Sequence, residues 1–152
     1  MLALCLVLAC GLTRKATPDL DLKAMAEPLK DVKAGDSQVV DETVRLIQQK
    51  QHAAALANLT RLTANNPGNA ALRVLRGYVL LELSNVTGSL EEARIAEESG
   101  SRSGYKCWFL AQVAFLAGDK PLCRREIGHL TGDPVYGPKV RRLSQDLEQQ
   151  TK

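Results

Sequence analysis

The sequence has few aromatic residues, and beyond its first residues it has no long hydrophobic run. Aromatic residues make up 4% of the 152 residues, whereas 45% are hydrophobic, so alanine and leucine dominate and helix is favoured over strand. No later apolar run approaches the roughly 20 residues of a membrane-spanning helix. The net charge of +3 is too small to indicate a nucleic-acid partner. Composition also excludes collagen, a disulfide scaffold and a disordered chain.

The sequence also lacks the short motifs that carry common catalytic chemistry. It contains no glycine-rich phosphate loop, no HExxH, no CxxC and no GxSxG. His52 and His129 stand apart in the sequence, and we interpret them as surface or helix-end residues rather than metal ligands. We therefore expect no catalytic residue, metal, cofactor or small-molecule substrate.

The first twelve residues carry no charge, and the first charged residues are Arg14 and Lys15. As a helix they would rise only about 18 Å, which is too short to cross a bilayer. An apolar stretch of this length is typical of a signal peptide. The usual positive residues before it are missing, so either Met1 is not the true start or the signal is a weak one.

The segment VLACG at residues 7–11 resembles the lipobox of bacterial lipoproteins. Val7 matches the aliphatic position, Ala9 the small position, and Cys10 the modified cysteine. The resemblance implies cleavage before Cys10, lipidation of its thiol and, because Gly11 follows, anchoring in the outer membrane facing the periplasm. An ordinary secretory signal and an apolar N-terminal helix of a cytosolic protein are the alternatives.

Three segments are predicted: a signal peptide at 1–9, a lipid-anchored tether at 10–35 and a helical domain at 36–152. The tether is favoured by its two prolines and scattered charges. A short helix over 22–30 is an alternative within the tether. Its apolar face would consist of Leu22, Met25, Ala26 and Leu29.

From Asp36 onward the sequence predicts amphipathic helices of ten to fifteen residues separated by turns. The Asn-Asn-Pro-Gly run at 65–68 ends one helix, and Asn69 and Asp119 are expected to cap the helices that follow them. The SLEE run at 89–92 is expected to form a capping box at the start of another helix. No run alternates with period two, so no sheet is predicted.

The helical segments resemble the tetratricopeptide repeat (TPR), a helix–turn–helix of about 34 residues. Copies can begin at Asp36, Ala70 and Gly104, the second with a four-residue insertion at 84–87. The small residues and the proline that match the repeat are Ala55, Gly77, Ala111, Cys123 and Pro67. The predicted fold is all-α, with about three TPR-like antiparallel pairs stacked as a short solenoid and a C-terminal capping helix. An unrelated helical bundle is the alternative.

The resemblance implies a concave surface lined by the first helix of each pair, where a protein partner would bind. Its residues would be Val40, Val44, Ile47, Val74, Tyr78, Leu81, Tyr105, Trp108, Gln112 and Phe115. Four of these ten are aromatic, and aromatic residues often anchor interfaces. Trp108 could equally be a core residue, because a one-residue register shift would turn it inward. The lysine, arginine and asparagine set with which some TPR proteins hold a peptide C-terminus is not matched.

Two cysteines lie within the predicted helical domain. Cys107 and Cys123 could oxidise in a periplasm, but in the repeat register they sit about one helical turn apart, which strains a disulfide. Two buried thiols are the alternative.

These features predict a non-enzymatic adaptor of the bacterial envelope that is anchored through Cys10 and binds a protein partner. In plan it resembles pilotins and other assembly factors of outer-membrane complexes. A soluble cytosolic TPR-like chaperone or scaffold and an accessory subunit of a cell-wall enzyme are the alternatives.

Overall fold

The computed structural model describes residues 18–150, and these residues form helices and no strand. The helices, in chain order, are α1 Leu22–Lys30, α2 Ser37–Gln48, α3 His52–Asn65, α4 Ala70–Glu82, α5 Val86–Glu98, α6 Gly104–Leu116, α7 Lys120–Leu130 and α8 Gly137–Gln149. The all-α class predicted from the sequence is therefore confirmed.

The helices pack as three pairs followed by a last helix. Helix α2 packs on α3, α4 on α5, and α6 on α7, and each pair contacts the next through α3 with α4 and α5 with α6. Short connections place the two helices of a pair antiparallel. Helix α8 closes the stack against α7. The predicted short solenoid with a C-terminal helix is confirmed.

The pairs repeat with a nearly constant period along the chain. The first helices and α8 begin at Ser37, Ala70, Gly104 and Gly137, which are 33, 34 and 33 residues apart. The second helices begin at His52, Val86 and Lys120, each 34 residues after the last. A period this regular is the mark of a repeat architecture rather than of an irregular bundle.

The turn inside each pair also repeats, down to its hydrogen bonds. Lys50, Ser84 and Gly118 all have a positive φ, of 60°, 66° and 76°. After each of them a backbone N–H bonds the carbonyl five residues earlier: Gln51 to Leu46 at 2.9 Å, Asn85 to Leu80 at 2.8 Å and Asp119 to Ala114 at 2.9 Å. This is the Schellman end of an α-helix, formed three times at a spacing of 34 residues.

The helix starts confirm two predicted caps. The side chain of Asn69 accepts the N–H of Leu72 at 3.1 Å, and that of Asp119 accepts the N–H of Leu122 at 3.1 Å. Each bond satisfies one of the free amides that every helix start leaves.

The predicted capping box at 89–92 and the four-residue insertion before it are both wrong. Helix α5 already begins at Val86, where the Asn85 side chain accepts the N–H of Gly88 at 2.8 Å. Ser89 is fully buried inside the helix. Glu92 faces α4, where it binds Arg76 at 2.7 Å and Arg73 at 3.2 Å. The earlier cap and this ion pairing with α4 decide the start of α5.

Residues 18–35 pack on the helical domain, which corrects the predicted tether for this part of it. The short helix considered as the alternative is present as α1, which lies against α4. Met25 is fully buried and Leu29 is nearly so. The carboxamide of Asn69 donates to the carbonyls of Pro28 at 2.7 Å and Asp31 at 2.8 Å. Burial of the apolar face of α1 explains why this segment does not stay extended.

Candidate functional site

A cavity of about 360 Å³ lies between α6, α8 and the first described residues of the chain. Its walls combine aromatic and aliphatic side chains with lysine, arginine and aspartate. The residues that line it are Pro18, Asp19, Trp108, Gln112, Phe115, Leu116, Pro138, Lys139, Arg142, Leu143 and Asp146. An apolar cavity with a few polar groups is the usual form of a binding site.

At one edge of this cavity, Gln112 of α6 binds the chain's own backbone. The N–H of Asp19 donates to Gln112 Oε1 at 2.7 Å, and Gln112 Nε2 donates to the carbonyl of Asp19 at 3.2 Å. Nε2 also reaches the carbonyl of Trp108 at 3.3 Å. One side-chain amide thus satisfies both backbone groups of a residue that lies 93 positions away. This contact does not depend on the identity of that residue's side chain.

Two carboxylates of the same segment are bound beside it. Lys139 of α8 forms an ion pair with Asp19, and the hydroxyl of Tyr136 donates to Asp21 at 2.6 Å. The other oxygen of Asp21 caps α1 by accepting the N–H of Ala24 at 2.9 Å. Asp19 and Asp21 are therefore both held at the start of α8, Asp19 by Lys139 within the helix and Asp21 by Tyr136 just before it.

Two aromatic rings lie beside the Lys139–Asp19 ion pair. The rings of Trp108 and Tyr136 lie 6.2 Å apart between centroids. The ammonium of Lys139 is 5.9 Å from the Trp108 ring and 5.8 Å from the Tyr136 ring, within the range of a cation–π attraction. The lysine that pairs with Asp19 is thus also held by two aromatic faces.

The bond between Tyr136 and Asp21 shifts the pKa of both groups. The hydrogen bond from Tyr136 is the main cause that lowers the pKa of Asp21, and the N–H of Ala24 adds to it. Burial, and then the bond to Asp21, raise the pKa of Tyr136 above its ordinary range. The pair is therefore most stable with Asp21 ionised and Tyr136 protonated.

We expect Tyr136→Phe to lower the free energy of unfolding by about 1 kcal/mol at pH 7, because the carboxylate of Asp21 loses a partly exposed hydrogen bond. A carboxyl whose folded pKa is lowered stabilises the protein above its unfolded pKa, near 3.9, and loses this effect as the pH falls through the folded value. The difference between the two proteins should therefore shrink below about pH 4.

Urea denaturation at several pH values measures this difference. Tyr78→Phe is the matched control, because the hydroxyl of Tyr78 has no hydrogen bond to any other described residue. A Tyr136→Phe protein with the same pH profile as the control would contradict the role of this bond.

The structure divides the ten residues expected on the concave surface into two groups. Three are half-buried: Val44, Tyr78 and Phe115. Seven are buried: Val40, Ile47, Val74, Leu81, Tyr105, Trp108 and Gln112. Trp108, Gln112 and Phe115 come together at the cavity. The open apolar groove that was expected is thus a largely covered face, and Trp108, at 6% exposure, packs in the core while also bordering the cavity.

Residues 18–31 lie across the part of this face that α4 and α6 form. Their contacts go to α4, to Gln112 of α6, to Tyr136 and Lys139 at the start of α8, and to Asn69. Gln112 was expected on this surface from the sequence, whereas its partner Asp19 was not, nor were Asp21, Tyr136 and Lys139. The acidic residue before an apolar helical pattern was a recognisable cap signal for Asp21. Nothing local could reveal that Asp19 meets Gln112.

Among the described residues no group of three histidine, cysteine or acidic side chains could hold a metal. Cys107 and Cys123 are buried free thiols, and burial raises the pKa of each to about 11. They are therefore protonated at neutral pH and poorly reactive. The two histidines have different neighbours. His52 Nε2 lies 3.7 Å from a carboxylate oxygen of Glu82, and His129 Nδ1 lies 3.4 Å from Nη1 of Arg102.

The predicted signal peptide and Cys10 lie outside the described residues. No helix in the described part, 18–150, is long and apolar enough to cross a membrane.

Fold and site together define the class of protein as an all-α helical-repeat protein. Comparison of the chain with family models, with curated proteins and with solved structures gives no match in any of the three.

Proposed function

We propose that this chain is a non-enzymatic, TPR-like adaptor of the bacterial envelope, anchored to the outer membrane through a lipid on Cys10. A protein partner docks on the face formed by α6 and α8, at the cavity beside Trp108 and Phe115. The role would be that of an assembly factor similar in plan to a pilotin. Helical-repeat stacks present extended surfaces of this kind to peptides and proteins.

The observation that carries the docking proposal is the double hydrogen bond between Gln112 and the backbone of Asp19. A side-chain amide that satisfies both the N–H and the carbonyl of one residue provides what a peptide ligand needs in a partly dry groove. The neighbouring cavity adds apolar surface at Phe115 and Leu116 and a cation at Arg142.

The anchor proposal rests on the lipobox-like residues 7–11. Processing before Cys10 would leave eight residues, 10–17, between the lipid and Pro18. Eight extended residues span at most about 28 Å. Pro18 borders the cavity, so the docking face would work within that distance of the membrane. Two or three acyl chains would hold the protein there firmly.

The first arm of the test is fractionation of a Gram-negative host that expresses the full chain. We expect the unmodified protein in the outer membrane, with an intact mass that lacks residues 1–9 and carries acyl chains. Cys10→Ala should leave the membrane fraction, whereas Cys5→Ala, the matched control, should stay in it because Cys5 is removed with the signal peptide. An unprocessed soluble protein would overturn the anchor and favour a cytosolic scaffold.

The second arm places a photo-crosslinking side chain at either of two exposed arginines. Arg142 borders the cavity, whereas Arg61 is exposed on α3 and does not line it. We expect a defined cross-linked protein at position 142 and none at position 61, identified by mass spectrometry. The same products at both positions, or none at 142, would contradict docking at this face.

A further inference from the structure

The segment 18–31 makes the contacts of a bound peptide, although it belongs to the same chain. Its first residues precede α1, and Gln112 binds the backbone of Asp19 through both its N–H and its carbonyl. Its second half is α1, whose apolar residue Met25 is fully buried against the solenoid. The final carbonyls of the segment bind Asn69. A short stretch followed by an amphipathic helix thus crosses α4 and α6, the first helices of two successive pairs.

We propose that residues 18–31 are a built-in ligand of this face, and that the partner binds by presenting a segment of the same chemistry. That segment would carry carboxylates at positions i and i+2 and would continue into a short amphipathic helix. This inference rests on the proposed docking function and specifies the chemistry of the docking partner. It also implies regulation, because the partner must displace the chain's own segment before it binds.

The charge requirement follows from the groups that face the two aspartates. Lys139 carries the positive charge that meets Asp19, and it lies over two aromatic rings. The Tyr136 hydroxyl donates to Asp21. A neutral residue at the first position would remove the ion pair with Lys139, and one at the second would weaken the acceptor for Tyr136. Acidic side chains two residues apart therefore fit this face.

The requirement for a helix after the acidic pair comes from Asp21. Gln112 binds one residue's N–H and carbonyl, so the acidic side chain at that residue is required by Lys139 and not by Gln112. Asp21 uses its second oxygen to cap α1, so the second carboxylate of a partner would also start its helix.

The built-in segment competes with any external one. A covalently attached ligand acts at an effective concentration of the order of millimolar. The apparent affinity for an external segment falls by the fraction of molecules in which the face is free. Weakening the internal contacts should therefore tighten binding of an external peptide without any change in the face itself.

The test uses a fluorescent synthetic peptide with the sequence of residues 18–31 and the purified full chain. In the chain, Asp19→Asn with Asp21→Asn removes both charges but keeps an asparagine that can cap α1. We expect this double variant to bind the unmodified peptide at least about tenfold tighter than the wild type does. Hydrogen exchange over residues 22–30 should be faster in the variant, while its circular dichroism stays helical.

Two matched controls test the recognition itself. A peptide with both aspartates changed to asparagine should lose its binding to the double variant by about tenfold. Addition of Gln112→Ala to the double variant should weaken binding of the unmodified peptide by a similar factor.

Each alternative outcome overturns the inference. Unchanged exchange over 22–30 would mean that the aspartates do not hold the segment. Faster exchange with no gain in peptide binding would mean that the face is not a peptide site. Equal binding of the neutral peptide would remove the acidic requirement. Because this assay uses purified protein without lipid, its failure would leave the fractionation and cross-linking results standing, and their failure would leave this assay unaffected.

Discussion

Trp108→Ala is expected to lower the free energy of unfolding by about 3 kcal/mol, because it empties a buried aromatic site and leaves a cavity. The indole is 6% exposed, packs beside the Tyr136 ring and lies under the Lys139 ammonium. The substitution should also release residues 18–21, since Lys139 and Tyr136 hold both aspartates there. Loss of partner binding in this variant would therefore reflect loss of structure as well as of contact.

Urea denaturation followed by circular dichroism measures this effect. Phe115→Ala is the matched control, because Phe115 borders the same cavity but is only half-buried. We expect it to cost about 1–2 kcal/mol, since less apolar surface is lost. Equal effects of the two substitutions would show that Trp108 is not the core residue that its burial indicates. Phe115 is thus the better of the two positions at which to probe docking.

Gly77→Val is expected to be about as destabilising, also by roughly 3 kcal/mol, through overpacking rather than through a void. A Cβ at position 77 would lie 2.9 Å from Cε1 of Phe109 and 3.3 Å from the backbone carbonyl of Ser89. The ring of Phe109 is itself fully buried and cannot swing away. A β-branched side chain at this point forces α4 away from α5 and α6.

Thermal and urea unfolding of Gly77→Val should show the loss, with a fall in Tm of about 10 °C for a domain of this size. Gly128→Val is the matched control, because Gly128 lies in α7 and a Cβ there would meet nothing within 4 Å. Its effect should stay within about 0.5 kcal/mol. A Gly77→Val protein as stable as the control would mean that the helices do not approach each other as closely as in the structure.

Gly77 and Trp108 differ in how far the sequence could predict their packing. Gly77 matched a small-residue position of the repeat, and the structure does place α4 against its neighbours at that point. Trp108 fitted both a groove and a core interpretation, because helical spacing alone does not fix which side of a helix faces a neighbour. A register difference of one residue rotates a side chain by about 100° around a helix.

Local signals also explain which helix boundaries were predictable. Asn69 and Asp119 cap the helices that they precede, as predicted, because a cap needs only residues three positions apart. The start of α5 was misplaced because the SLEE run satisfies the same local rule. Glu92 instead binds Arg73 and Arg76 on α4. That choice depends on a neighbouring helix and is invisible to a local pattern.

By itself the sequence determined the all-α class, most of the helices and the stacked pairs, because each depends on apolar periodicity, caps and turns within a few residues. Only the tertiary structure decided what covers the first-helix face. Whether residues 18–31 hang free or fold back depends on contacts such as Asp19 with Gln112 and Asp21 with Tyr136, 93 and 115 residues apart. Such contacts form only once the solenoid has brought α6 and α8 together, so no short window of sequence contains them.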